Sequence, residues 1–76
     1  MTLDVRGRAC PIPVIELAKA MRGAEIGDVV VVLADDPTAK VDVPVWCRMQ
    51  RQRFRDQREL EDGGWAFEVE KIAELR

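Results

Sequence analysis

The residues best suited to chemistry stand near the start of the chain, in Arg6-Gly7-Arg8-Ala9-Cys10-Pro11-Ile12-Pro13. Cys10 carries the nucleophile. Proline suits the first position of a helix, where an amide hydrogen would lack a partner anyway. Pro11 therefore predicts a helix start with Cys10 as its N-cap. Helix N-termini and neighbouring cations favour the thiolate over the thiol, and Arg6 and Arg8 are the candidate cations. Pro13 fixes the first turn further and removes another amide donor. No second Cys stands at Cys-x-x-Cys spacing, so dithiol exchange of that type is not expected. A lone activated thiolate suits carrying a group, such as a persulfide or mixed disulfide. The plain alternative is that Cys10 merely fills an N-cap, although Cys is not a favoured residue there.

Composition removes competing mechanisms. The 76 residues include two Cys, no His and no Tyr. Without His there is no Cys-His or Ser-His pair and no imidazole ligand. Two Cys do not complete a structural zinc site, so no metal and no cofactor are expected. Twelve Lys and Arg against 14 Asp and Glu leave a net charge of -2, which gives no general footprint for nucleic acid. Few aromatic side chains are present to stack on bases. The longest apolar run, Val29 to Ala34, is too short to span a membrane, and the N-terminus lacks a basic stretch followed by an apolar one. A cytoplasmic, reducing setting with free thiols is expected. The length predicts one domain over 1–76 with a thin core, expected as a monomer.

The elements that position Cys10 follow from pattern. Leu3 and Val5 alternate with Asp4 before Gly7, a short first strand. Ile12, Ile15 and Met21 recur at helical spacing, with Val14, Leu17 and Ala18 widening the stripe and Gly23 as the stop. Asp28 to Ala34 is a β-branched run typical of a well-covered central strand. Asp42 reads as an N-cap with Pro44 in the first turn, and Val43, Trp46, Cys47 and Gln50 mark one helix face. Phe54 to Glu61 is a polar edge strand, Asp62-Gly63-Gly64 a hairpin turn, and Trp65, Phe67 and Val69 the buried side of a last strand. The order β-α-β-α-β-β predicts an α/β fold of the α+β type. It is a two-layer sandwich, with two helices on one face of a small mixed four-stranded sheet.

Leu3-Asp4-x-Arg6-Gly7-x-x-Cys10-Pro11-x-Pro13 resembles the signature of the TusA/SirA-like sulfur-carrier family. The likeness continues through Lys19-Ala20, Gly27-Asp28, Asp35-Asp36-Pro37-x-Ala39, Asp42-Val43-Pro44-x-Trp46-Cys47-Arg48 and Phe67-x-Val69-x-Lys71. The resemblance implies the same sandwich fold. It also implies that Cys10, in the CPxP motif, accepts sulfane sulfur as a persulfide from a cysteine desulfurase or another donor and passes it to an acceptor protein. Outlets in the family include tRNA 2-thiolation, molybdenum cofactor metabolism and sulfur oxidation. Relatives often carry Gly-His shortly after Trp-Cys-Arg, where this chain has Arg51 and Gln52. That departure removes the usual left-handed helix terminator, and with it comes the expectation of a different or longer helix end.

Other residues admit two readings. Cys47, on the face of Val43 and Trp46, reads as a packing cysteine or, with Cys10, as half of a thiol redox sensor. Arg48, Arg51, Arg53, Arg55 and Arg58 form a basic cluster, either a solvated surface or a docking patch for an acidic partner. Asp35 and Asp36, before Pro37, read as a turn or cap. A binding or regulatory module that carries no sulfur is the alternative from another functional class.

Overall fold

The computed structural model describes residues 1–9 and 11–75; Cys10 and Arg76 lie outside them. Strand β1 (Thr2–Asp4) is followed by α1 (Ile12–Gly23), β2 (Val29–Ala34), α2 (Ala39–Gln50), β3 (Arg53–Glu59) and β4 (Trp65–Glu70). The sheet order is β1-β2-β4-β3. β1 runs parallel to β2, and β4 is antiparallel to both β2 and β3. This is the mixed sheet and the element order that the sequence pattern predicts.

Along β2, Val30, Val32 and Ala34 are buried while Val29, Val31 and Leu33 are half-buried. The period of two sends the first set to the helices and the second to the open face of the sheet. Val32 lies opposite Phe67 and Val30 opposite Val69. Leu17 and Met21 of α1 and Val43 and Cys47 of α2 close the core over them. On the open face, Val31 is paired with Glu68 and Val29 with Glu70. Edge strand β3 carries an irregularity between Phe54 and Asp56, which interrupts a flat pairing edge.

Both helix starts differ from the pattern reading, while the strand bounds shift by no more than two residues. α1 has Pro11, not Cys10, at its N-cap, so Pro13 rather than Pro11 falls inside the first turn. α2 begins at Ala39 with Thr38 before it, not at Asp42. The cause is the Asp35-Asp36-Pro37 turn: the Asp36 carboxylate accepts the Thr38 amide at 2.9 Å, and the Asp36 carbonyl accepts that of Ala39 at 2.9 Å. Helical geometry therefore starts directly after the turn, leaving Asp42 in the first turn and Pro44 in the helix interior. The end of α2 follows the first of the two expectations, a different terminator rather than a longer helix. Arg51 takes the left-handed conformation at φ 58°, so the helix stops there without glycine and does not run on.

Candidate active site around the first loop

The segment between β1 and α1 is fastened from three sides. Val5 extends the strand by donating its amide to Leu33 at 2.9 Å and buries its side chain. Arg6 forks onto Asp4, with Nε to Oδ1 at 3.0 Å and a second nitrogen to Oδ2 at 2.8 Å, and reaches Asp62 in the β3–β4 turn at 3.3 Å. Gly7, at φ 85°, donates its amide to both carboxylate oxygens of Asp35, at 2.9 and 3.1 Å. Asp35 thus does more than make a turn: it ties the β2–α2 loop to the loop that leads to Cys10.

Gly64 holds the hairpin turn against this arrangement. A Cβ at that position would meet the Ala34 carbonyl oxygen at 2.7 Å and the Asp35 Cβ at 3.1 Å. Its φ of 85° is also one that other residues rarely adopt.

The chain then turns into α1. Ile12 donates its amide to the Ala9 carbonyl at 3.1 Å, and Ile15 donates to that of Pro11 at 3.0 Å. Ala9 and Pro11, the neighbours of Cys10 in sequence, are exposed, and Pro13 is buried. Pro11 and Pro13 carry no amide hydrogen and that of Ile12 is taken, so this helix start offers fewer free amides than an ordinary one. Pro11 takes the N-cap position expected of Cys10, and the expected thiolate role of Cys10 falls on a residue outside those described.

The cations expected to help differ. Arg6 is shared between two carboxylates, and its proximity holds the Asp4 carboxyl down at about 2. The same pairing raises the already high pKa of Arg6. Arg8 has no ion-pair partner among the described residues. It lines a shallow hollow of about 210 Å³ with Leu3, Asp4, Val5 and Glu16. Of the two, Arg8 has the less compensated charge.

Cys47 is 2% exposed in the core, and burial pushes its thiol up to about 11. It is a neutral packing group. The basic cluster does not act as one patch. Arg53 and Arg55 approach Glu70 at 3.8 and 3.2 Å, and Arg58 pairs with Glu68 and Asp56, all three on the sheet. Arg48 and Arg51, at the end of α2, are exposed and have no ion-pair partner among the described residues.

Gln52 is 6% exposed and fully engaged. Its amide donates to Gln50 and Ala73 carbonyls at 3.0 and 2.8 Å, and its oxygen accepts the Ile72 and Ala73 amides at 2.9 and 3.3 Å. It anchors the tail after β4.

Pattern reading passed over one surface feature. Pro11, Val14, Val45, Trp46 and Met49 line an apolar hollow between the helices, with Asp42 at its edge. Val41, Val45 and Met49, spaced four apart on the side of α2 away from the core, were the available signal.

Residues 1–71 match the family model described as Sulfurtransferase TusA, a span that takes in Cys10 and every element above. Two curated proteins of Archaeoglobus fulgidus, each named "Putative sulfur carrier protein", are 39% and 32% identical to this chain. The first covers 97% of the chain and 96% of itself, the second 95% and 97%. A crystal structure of a SirA-like protein from Desulfitobacterium hafniense superposes with a TM-score of 0.83 at 27% identity, covering 95% of this chain and 97% of that one. Fold, element order and motif thus converge, and the chain belongs to the TusA sulfurtransferase family.

Proposed function

We propose that this protein is a sulfur carrier in which Cys10 accepts sulfane sulfur as a persulfide and relays it to an acceptor protein. The observation that carries the reading is the family match through the Cys10-Pro11-Ile12-Pro13 segment, whose flanking residues Ala9 and Pro11 are exposed at a helix start. A persulfide must be reachable by two successive partners, so a surface loop suits it better than a closed cavity.

The chemistry balances without an oxidant. The Cys10 thiolate attacks the outer sulfur of a donor persulfide. An S–S bond forms at Cys10 while the donor's S–S bond breaks, and its electron pair leaves on the donor cysteine as a thiolate. The acceptor thiolate repeats the exchange on the Cys10 persulfide. Arg8 stabilises the anionic sulfur, Pro11 and Pro13 shape the helix start, and Arg6 positions the loop through Asp4 and Asp62. A cysteine desulfurase or another sulfane donor supplies the sulfur. The outlet is tRNA 2-thiolation, molybdenum cofactor metabolism or sulfur oxidation, in the cytoplasm. The chain acts as one monomeric domain over 1–76 that turns over only with both partners.

Incubation with a desulfurase and cysteine, or with inorganic polysulfide, followed by intact mass measurement, tests this. The expected result is a gain of one sulfur that is lost in Cys10→Ser and kept in Cys47→Ser. No adduct from any donor would sink the carrier role and leave a binding module in its place.

A further inference from the structure

α2 turns Val43 and Cys47 into the core but leaves Val41, Val45 and Met49 exposed at 63%, 44% and 65%. Positions four apart share one stripe of a helix. α1 faces this stripe with Pro11 and Val14, and the hollow between them measures about 200 Å³. Grouped apolar side chains of this kind mark interaction surfaces more often than chance exposure.

Two observations say what covers the hollow. Pro11, which lines it, is the residue that follows Cys10 in the chain. At Met49 it reaches the end of α2, where Arg48 and Arg51 are exposed and unpaired among the described residues. The other arginines of the cluster are neutralised on the sheet. Asp42 lies among the lining residues, about one turn before Val45 and Trp46.

We propose that this hollow seats the protein that exchanges sulfur with Cys10, and that the seated segment carries apolar side chains followed by carboxylates. The apolar part fills the space between Val14, Val45 and Trp46, and the carboxylates meet Arg48 and Arg51. The inference rests on the carrier reading and adds the surface and the chemistry of the partner.

Trp46 lines the hollow and reports on it directly. In a Trp65→Phe background its emission is followed while short synthetic peptides are added. One carries leucines beside a cysteine and then aspartates and glutamates. A second replaces the acids by lysines, and a third replaces the leucines by serines. The first peptide is expected to give a saturable shift, with the other two about tenfold weaker or more. Val45→Glu and, separately, Met49→Glu abolish the shift, and Arg48→Glu with Arg51→Glu weakens it about tenfold. No saturable shift, equal affinity for the acidic and basic peptides, or an unaffected Val45→Glu variant overturns the docking inference. Loading with inorganic polysulfide separates the two claims. Sulfur uptake without peptide binding defeats the docking surface alone, and peptide binding without uptake defeats the carrier reading and with it the assignment of the seated segment to a sulfur-exchange partner.

Discussion

At the end of the sheet that bears the Cys10 loop, the tying contacts are charged and open to water. Arg6 holds Asp4 and Asp62, and the Gly7 amide rests on an exposed Asp35 carboxylate. At the opposite end the ties are buried. Gln52 holds the backbone of residues 72 and 73, and Lys71, 1% exposed, donates to the Ala24 carbonyl at 2.6 Å. Lys71 also joins the loop before β2, through Gly27 to its carbonyl at 2.7 Å and its own amide to Asp28 at 2.9 Å. Exposed ion pairs contribute little and weaken with salt, whereas a buried polar group that loses its partner costs the full desolvation penalty. The end with the first loop is thus held in shape by contacts that water or a partner can replace. The far end supplies the stability that lets it be so.

The largest effect should come from the far end. Gln52→Leu strands the amides of Ile72 and Ala73, and urea denaturation should show a loss of about 2–3 kcal/mol; a change below about 0.5 kcal/mol would erase the contrast. Amide exchange sharpens it next. The Gly7 amide should exchange about tenfold or more faster than that of Ile72, because its acceptor is a solvated carboxylate. Arg51→Gly should stabilise by about 0.5–1 kcal/mol, since glycine enters the left-handed region without the Cβ penalty. A loss on thermal unfolding would mean that the arginine is held there by contacts outweighing its strain.

The smallest effect is the acid response of Asp4. Its carboxyl is held at about 2 when folded, against about 4 in an unfolded chain. The pairing with Arg6 therefore stabilises fully above about pH 4 and is lost as pH falls through about 2. Unfolding curves of the wild type and Asp4→Asn should converge over that window. A constant gap across it would show that the carboxylate is not what ties the loop.

Much of this was legible in residue order. Valines 29 to 32 could only be a covered strand, and the alternation of Trp65, Phe67 and Val69 gave the face of β4. Cys10 stood out because Pro11 and Pro13 follow it, with no His and no second thiol nearby in sequence. Helix starts were less legible, since Asp36 and Asp42 are both good caps and only the turn at Pro37 selects the first. The terminator after α2 was half legible: loss of glycine leaves either a different or a longer helix end, and the first holds because Arg51 accepts the left-handed strain while buried Gln52 fixes the next residue. The division of the arginine cluster was not readable at all. It depends on β3 register, which brings Arg53 to Glu70 and leaves Arg48 and Arg51 on another element.

The two thiols decide the central claim. After loading with a sulfane donor and alkylation of the folded protein at neutral pH, peptide mapping locates the added sulfur. The expected result is sulfur on the peptide containing Cys10, with Cys47 unmodified until the chain is unfolded. Added sulfur on Cys47, or equal alkylation of both thiols in the folded state, would contradict it.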